Sequence, residues 1–346
     1  MFESSRAHQT HKNRRSCFCW FPTLSLNFSR LVKQRARGDL SLSLGALIAV
    51  FLATTTVAGG PVYLRSLERV GMADVVNTAG PYNKNVTAIS DWIPLEHTHI
   101  TQANSVVDSA VNKELAPLIE QRSTRIKSRA HFWGLDHGDP KTQTETVRGE
   151  FASRAYFHEM EGLHQAVTYV DGRAPTSNLR IDEDGDRVVE VAVYENRSRR
   201  IRHGEMLEDL RVGDVVLASS VSRGFGSVKG EIVGIFVAND LRDQFWLGSP
   251  NTILEPEPPM LFGGRDKPII LFTAEGAIAP GVGPSNAGLP MNYMRVLFTD
   301  PEKISLTEPD VFVAAVDFFE EVVKAELPQV KTLSGIRAST NRMETK

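Results

Sequence analysis

Leu40 to Leu64 reads LSLSLGALIAVFLATTTVAGGPVYL, with no charged side chain between Asp39 and Arg65. Wound as a helix at roughly 1.5 Å per residue, about 25 residues span about 37 Å. That is enough to cross a hydrocarbon core of about 30 Å with some tilt. Leu44 to Ala53 is continuously apolar apart from Gly45, while Thr54, Thr55, Thr56, Gly59, Gly60 and Pro61 dilute the C-terminal third. Threonine hydroxyls can bond back to carbonyls one turn earlier, and glycine and proline are tolerated in membrane helices. The stretch reads as a transmembrane helix. The rival is a leader peptide cut near Val57-Ala58-Gly59. A whole leader is only about 15–30 residues long, and 39 residues already precede this run. We read a retained anchor.

Orientation follows from charge. Residues 1–39 carry Arg6, Lys12, Arg14, Arg15, Arg30, Lys33, Arg35 and Arg37 against Glu3 and Asp39, whereas the whole chain has 39 basic and 42 acidic residues and is therefore net acidic beyond the anchor. The positive-inside bias predicts a cytoplasmic N-terminus, with residues 65–346 on the far side of a cell membrane crossed once. From Phe28 to Arg37, Phe28, Leu31 and Val32 share one helical face among basic neighbours, which suits a short helix on the inner lipid surface. The mild acidity of the exported part argues against nucleic acid as a partner. Both cysteines, Cys17 and Cys19, lie in the tail, so the exported part has no disulfide, and a second cysteine pair for a metal site is missing.

The exported residues are too many for one typical core, which predicts two subdomains. Arg65 to Val76 extends the helix as a stalk, and the turn-rich Asn77 to Asn85 breaks it. Val86 to Pro94 reads as a strand and Thr101 to Gln121 as a helix that Pro117 kinks or ends. Thr124 to Trp133 and Thr144 to Phe157 look extended, with polar interruptions that suit one exposed face. Val188 to Tyr194, Leu210 to Leu217, Gly230 to Val237 and Pro268 to Thr273 read as strands between glycine-rich turns. Glu275 to Pro290 reads as a flexible loop and Asn292 to Phe298 as a strand. Thr307-Glu308-Pro309-Asp310 starts a helix whose apolar stripe is Phe312, Val316, Phe319 and Val323. The reading is an α+β chain. It comprises a basic tail 1–39, a transmembrane helix 40–64, an α/β subdomain in two parts, 65–166 and 287–335, a β-rich insertion 167–286, and a polar tail 336–346.

This order of pieces resembles the FtsX/MacB-like family of ABC-transporter permeases. The residues that carry the resemblance are Arg30 to Tyr63, Val170-Asp171-Gly172-Arg173-Ala174-Pro175, Val188 to Tyr194, Val212-Gly213-Asp214-Val215-Val216 and Glu231-Ile232-Val233-Gly234-Ile235. Their glycines read as turns that set strand register, so they are structural positions. The resemblance implies an external porter-like α/β part with a β-rich insertion. It also implies a cytoplasmic ABC ATPase partner, dimerisation with the same or another permease chain, and transmission of ATP-driven motion across the bilayer. In that family further membrane helices follow the external domain, and this sequence carries one such run, so the resemblance implies a truncated or split permease. The alternative is a single-pass membrane-anchored binding or adhesion protein without an ATPase.

No enzymatic site is expected, and no catalytic, cofactor or metal residues are assigned. The phosphate-loop motif is absent, so this chain is not the ATPase. His158 to His164 has the look of a zinc-protease helix, but Gly162 stands where the second histidine is needed. His97 and His99 beside Glu96 would share one face of a strand, and together with His137 they form the weak basis for an anchored metal hydrolase. Asp182 to Asp186 lacks the spacing of a calcium loop and reads as an acidic hairpin tip. Gly283-Pro284-Ser285-Asn286-Ala287 lacks the final glycine of a nucleophile elbow. Asn85 and Asn196 head glycosylation sequons. Phe245-Trp246 and Glu275 to Pro290 are the candidate exposed contact surface, with a core position for Trp246 as the equal alternative.

Overall fold

The computed structural model describes residues 32–33, 40–136, 154–183, 185–198, 201–203, 206–220, 226–256, 267–286 and 289–338. It is a mixed helix-and-sheet chain with one long apolar helix near its N-terminus, as the sequence predicts. Of the short basic helix expected at Phe28 to Arg37, only Val32 and Lys33 fall among the described residues, and both are helical.

The first helix, α1, runs Leu40–Thr78 with Pro61 inside it. Among the described residues it is the one helix long and apolar enough to cross a membrane, with a mean hydropathy of 1.7 over its best window. Leu44, Leu47, Ile48, Phe51 and Leu52 line one side of it and Ala46, Ala49, Val50, Ala53 and Val57 the other, so it has no polar face of the kind a water-soluble surface helix keeps. Thr54, Thr55 and Thr56 donate back to the carbonyls of Val50, Phe51 and Leu52 at 2.7–2.9 Å, which hides their hydroxyls from an apolar surround. The helix continues past Arg65 as expected, and its last turns bury Met72 and Val76 in the core of the unit that begins at Arg65.

That unit is built on one twelve-stranded sheet. Its strands are β1 (Val86–Pro94), β2 (Ile119–Lys127), β3 (His131–Leu135), β4 (Arg154–Met160), β5 (Val167–Gly172), β6 (Arg180–Ile181), β7 (Arg187–Tyr194), β10 (Val215–Ser220), β11 (Ser227–Ala238), β12 (Ile269–Thr273), β13 (Pro290–Thr299) and β14 (Lys331–Ser334). A separate two-stranded ribbon pairs β8 (Ile201–His203) with β9 (Met206–Glu208). Because β12 bonds to both β7 and β4, the order β12-β7-β11-β10-β3-β4 closes on itself as a six-stranded ring. Closure removes the edges that a small open sheet would expose. From β4 the sheet runs on as an open wing, β2-β13-β1-β14.

The helices in this unit are α2 (Pro81–Lys84), α3 (His97–Glu114), α4 (Leu163–Ala166), α5 (Glu195–Ser198), α6 (Pro250–Leu254), α7 (Ile278–Val282), α8 (Pro301–Leu306) and α9 (Pro309–Glu326). One face of the wing is covered by α3 and α9. Ile100, Ala103, Val107, Ala110 and Val111 recur at helical spacing on α3, and Phe312, Val316, Phe319 and Val323 on α9; all are buried. That stripe on α9 is the one expected.

Three local expectations are corrected. The α3 helix starts at His97 and ends at Glu114, because Pro117 cannot donate to a continuing helix and sits in a short 3-10 turn, Ala116–Leu118, before β2. Thr307 closes α8, its hydroxyl on the Lys303 carbonyl, and Glu308 is the first cap residue of α9. Glu275 to Pro290 is not a loose loop: Ala277, Ile278, Ala279 and Val282 are buried, and α7 is held at its start by the Glu159 carboxylate, which accepts from the Gly276 and Ile278 N–H groups.

Candidate functional site

The face of the wing away from α3 carries a different set of side chains. Side chains alternate along a strand, so Arg125 and Lys127 share one face of β2, while Thr124 and Ile126 turn toward α3. Pairing across the strands sets Ile89, Met294, Arg125 and Met160 in one row and Asn292, Lys127 and His158 in the next. The segment Asp243 to Leu254 folds over these rows through a 3-10 turn, Gln244–Trp246, and α6, and walls a half-open cavity of about 390 Å³. Arg125, Lys127 and His158 form its basic side, Ile89, Trp246, Leu247, Ile253 and Met294 its apolar side, and Asp91 and Asn292 also line it. A volume of this size is in the usual range for small-molecule pockets, about 300–1,000 Å³.

The basic side is held in an unusual state. Arg125 is 4% exposed, and its guanidinium donates from Nη2 to the Phe245 carbonyl and lies 5.0 Å from the Phe245 ring. Lys127 Nζ stands 4.3 Å from the ring centre of Tyr156. Among the described residues, neither cation has a carboxylate at ion-pair distance. Burial pulls the Arg125 pKa down to about 9 and lowers that of Lys127. His158 stacks on Phe272 at 5.6 Å and is 7% exposed; burial first, then the charges of Lys127 and Arg125, push its pKa well below the usual imidazole value, so it is neutral. Arg125 Nε, His158 Nδ1 and Trp246 Nε1 are buried and have no hydrogen-bond partner. An unmet buried polar group costs about 1–3 kcal/mol, so three around one cavity are a concentrated cost.

Two other buried cations are matched by carboxylates. Arg295 turns toward α3 and pairs with Asp108 at 3.1 Å and Glu161 at 2.8 Å. Lys229 is wrapped by Asp182 at 2.6 Å and by Asp136 and Asp186 at 3.4 Å. These networks tie strands together. The contrast with Arg125 and Lys127 is the reason to place the candidate site here.

Several sequence readings are corrected by this geometry. The polar face of residues 124–133 is covered by residues 243–254 at Arg125 and partly at Lys127, while Arg129 is exposed as expected. Trp246 is fully buried and Phe245 nearly so, which removes them as an outer contact surface. His158 lies on strand β4 and His164 on α4, so no zinc-protease helix exists there. His97 and His99 lie in the first turn of a helix, where two residues apart means about 160° apart; His99 pairs with Glu96 at 3.3 Å. His137 and Asp139 lie outside the described residues, and among the described residues no cluster of three or more metal-ligating side chains occurs. Asp182 to Asp186 does close a hairpin, β6 to β7, with its carboxylates on Lys229. Ser285 donates to the Ser227 carbonyl from a 3-10 turn. Asn85 is buried and accepts from the Thr299 N–H, so its sequon is closed to modification, whereas Asn196 is exposed. The glycines of the resemblance are structural as expected: Gly172 and Gly213 have φ of +68° and +97°.

No protein-family model matches the chain, and a comparison with curated protein sequences found no match. Among solved structures it is similar to a domain carrying a permease name from Porphyromonas gingivalis, at 10% identity and a TM-score of 0.32, over 73% of this chain and 91% of that one. The functional reading rests on this chain's own residues.

Proposed function

We propose that this chain is the membrane anchor and external domain of an ABC-transporter permease subunit of the FtsX/MacB-like type. In this reading it has no enzymatic activity of its own. It works with a cytoplasmic ATPase and a second permease chain, and it passes the motion of the ATPase through the bilayer to the sheet unit. The observation that carries the reading is α1. A basic flank precedes an uncharged run, and the same helix continues into residues packed in the core of the sheet unit, so a push on the helix is delivered to a folded body. One helix cannot line a transport path, so the reading needs further permease helices besides α1.

The cavity favours a second reading, a single-pass anchored binding protein without an ATPase. Purification of tagged chain from native membranes in mild detergent separates the two. The permease reading expects a nucleotide-binding ATPase in about stoichiometric amount, with ATP hydrolysis that vanadate stops. A chain that elutes alone and hydrolyses nothing supports the anchored binding protein and overturns the permease.

A further inference from the structure

Three features were weighed as sites. The Lys229 cluster is a cation already matched by three carboxylates, and the buried Glu159 carboxylate is consumed by two backbone N–H groups at the start of α7. Of these three, the cavity under residues 243–254 is the one whose buried cation lacks a carboxylate partner among the described residues.

We propose that this cavity binds a small amphipathic anion, a carboxylate or phosphate head on an apolar body, with the head on Arg125 and Lys127 and the body against Ile89, Trp246, Leu247, Ile253 and Met294. The sign of the ligand follows from the balance of charge. Two cations sit two residues apart on one strand face, so they repel each other, and among the described residues their close side-chain partners are a carbonyl and two aromatic rings. An anion between them relieves the repulsion, supplies charge-assisted hydrogen bonds and meets the unpaired Arg125 Nε. The Asp91 carboxylate at the rim disfavours a second negative charge on that side, which points to a head group at one end of the molecule. His158 is neutral and adds a hydrogen-bonding atom without a third charge.

The apolar half follows from the walls. A free inorganic anion would use the basic side alone and leave the aliphatic and indole surface wetted. A body of roughly ten carbons covers it, and apolar burial contributes about 0.8 kcal/mol per CH₂. This proposal does not depend on an ATPase partner and stands under either reading of function.

The test is calorimetric titration of the full chain in nanodiscs of zwitterionic lipid, free of detergent, with decanoate, decyl phosphate, decanol and inorganic phosphate as probes. Decanoate and decyl phosphate are expected to saturate at a single equivalent, with decanol and inorganic phosphate at least about tenfold weaker. Lys127→Met is the deciding variant, because the close side-chain contact of Lys127, the Tyr156 ring, is one that a methionine also meets; it is expected to weaken both anions at least about tenfold and leave decanol unchanged. Arg125→Gln also removes the bond to Phe245, so its folding is checked by circular dichroism before its binding is read. Ile253→Trp, which fills the apolar side, is expected to abolish decanoate binding. Discs containing phosphatidylglycerol separate two sources of the same chemistry. Weakened decanoate binding there supports a lipid head group as the natural ligand, and unchanged binding supports a free solute. Decanol binding as tightly as decanoate, or Lys127→Met binding decanoate like the parent, overturns the proposal. Inorganic phosphate binding as tightly as decyl phosphate overturns its amphipathic part.

Discussion

At the scale of single residues, the cations of the cavity make a statement about stability that differs from that of ordinary surface charge. Arg125 has a folded-state pKa of about 9 against an ordinary value of 12.5, and burial lowers Lys127 from 10.5. A cation whose pKa is lowered by folding binds fewer protons in the folded state than in the unfolded one, so stability rises with pH through the folded pKa. Well below pH 9 Arg125 is charged in both states, and the folded chain carries the full cost of burying it. Unliganded protein is therefore expected to gain stability as pH rises through about 9, with Lys127 contributing in the same direction, opposite to what loss of a salt-bridged lysine would give. Lys127→Met should flatten that slope and stabilise the chain by about 1 kcal/mol at neutral pH, since replacing buried charge with an apolar group of similar shape is often stabilising. Melting curves across this range check both. A neutral-pH loss of stability in Lys127→Met would mean that the lysine is a structural contact and not a group held for a ligand.

At the scale of elements, the register of β5 against β11 depends on two glycines that face each other, Gly172 and Gly234. A Cβ on Gly234 would stand 2.1 Å from the Arg173 carbonyl oxygen, and one on Gly172 would stand 2.1 Å from the Val233 oxygen, both backbone atoms that cannot step aside. Arg173 then clamps Glu190 on β7 with two bonds of 2.6 and 2.7 Å. Gly234→Ala is expected to cost about 3 kcal/mol, the upper end for overpacking. Gly213→Ala, with φ of +97° but nothing within 4 Å, should cost only the local strain of about 1–2 kcal/mol. Chemical denaturation of the two variants side by side checks the ranking. Gly213 is legible in the sequence because a turn before a strand is a local signal, whereas Gly234 stands inside β11 at a register shift and not in a turn. Legible too were α1, β1, β7, β11 and the stripe on α9, each fixed by its own spacing of apolar residues. The candidate site was not. The Arg-Ile-Lys run at 125–127 announces two cations on one strand face, but whether that face meets water depends on Phe245, 120 residues further along. His158 was misplaced for a similar reason: flanked by Glu159 and Glu161 it looks helical, and only its pairing with Lys127 makes it a strand residue. The closure of β12 onto β4 is likewise a parallel, long-range pairing with no local mark.

At the scale of the whole molecule, the charge distribution makes a prediction about sidedness that the fold alone does not. Eight basic residues against two acidic ones precede α1. Carrying them outward opposes a membrane potential, negative inside, at about 2.3 kcal/mol per charge per 100 mV. It also strips basic side chains from anionic lipid, at about 1 kcal/mol each. Residues 65–346, net acidic and free of cysteine, would meet no such barrier. A cytoplasmic N-terminus is therefore the expected outcome: Cys17 and Cys19, the only cysteines, would report the inner side, and a single cysteine placed by Leu306→Cys, 75% exposed in the parent, the other. In intact cells a membrane-impermeant maleimide is expected to label the Leu306→Cys variant made with Cys17→Ser and Cys19→Ser, and to reach the native cysteines only after permeabilisation. The reverse pattern would put the sheet unit in the cytoplasm and make transmission to the outside impossible. Labelling of neither position before permeabilisation, with the chain released by alkaline carbonate, would mean that α1 does not cross the bilayer. The two failures are distinct, because the first inverts the anchor and the second removes it.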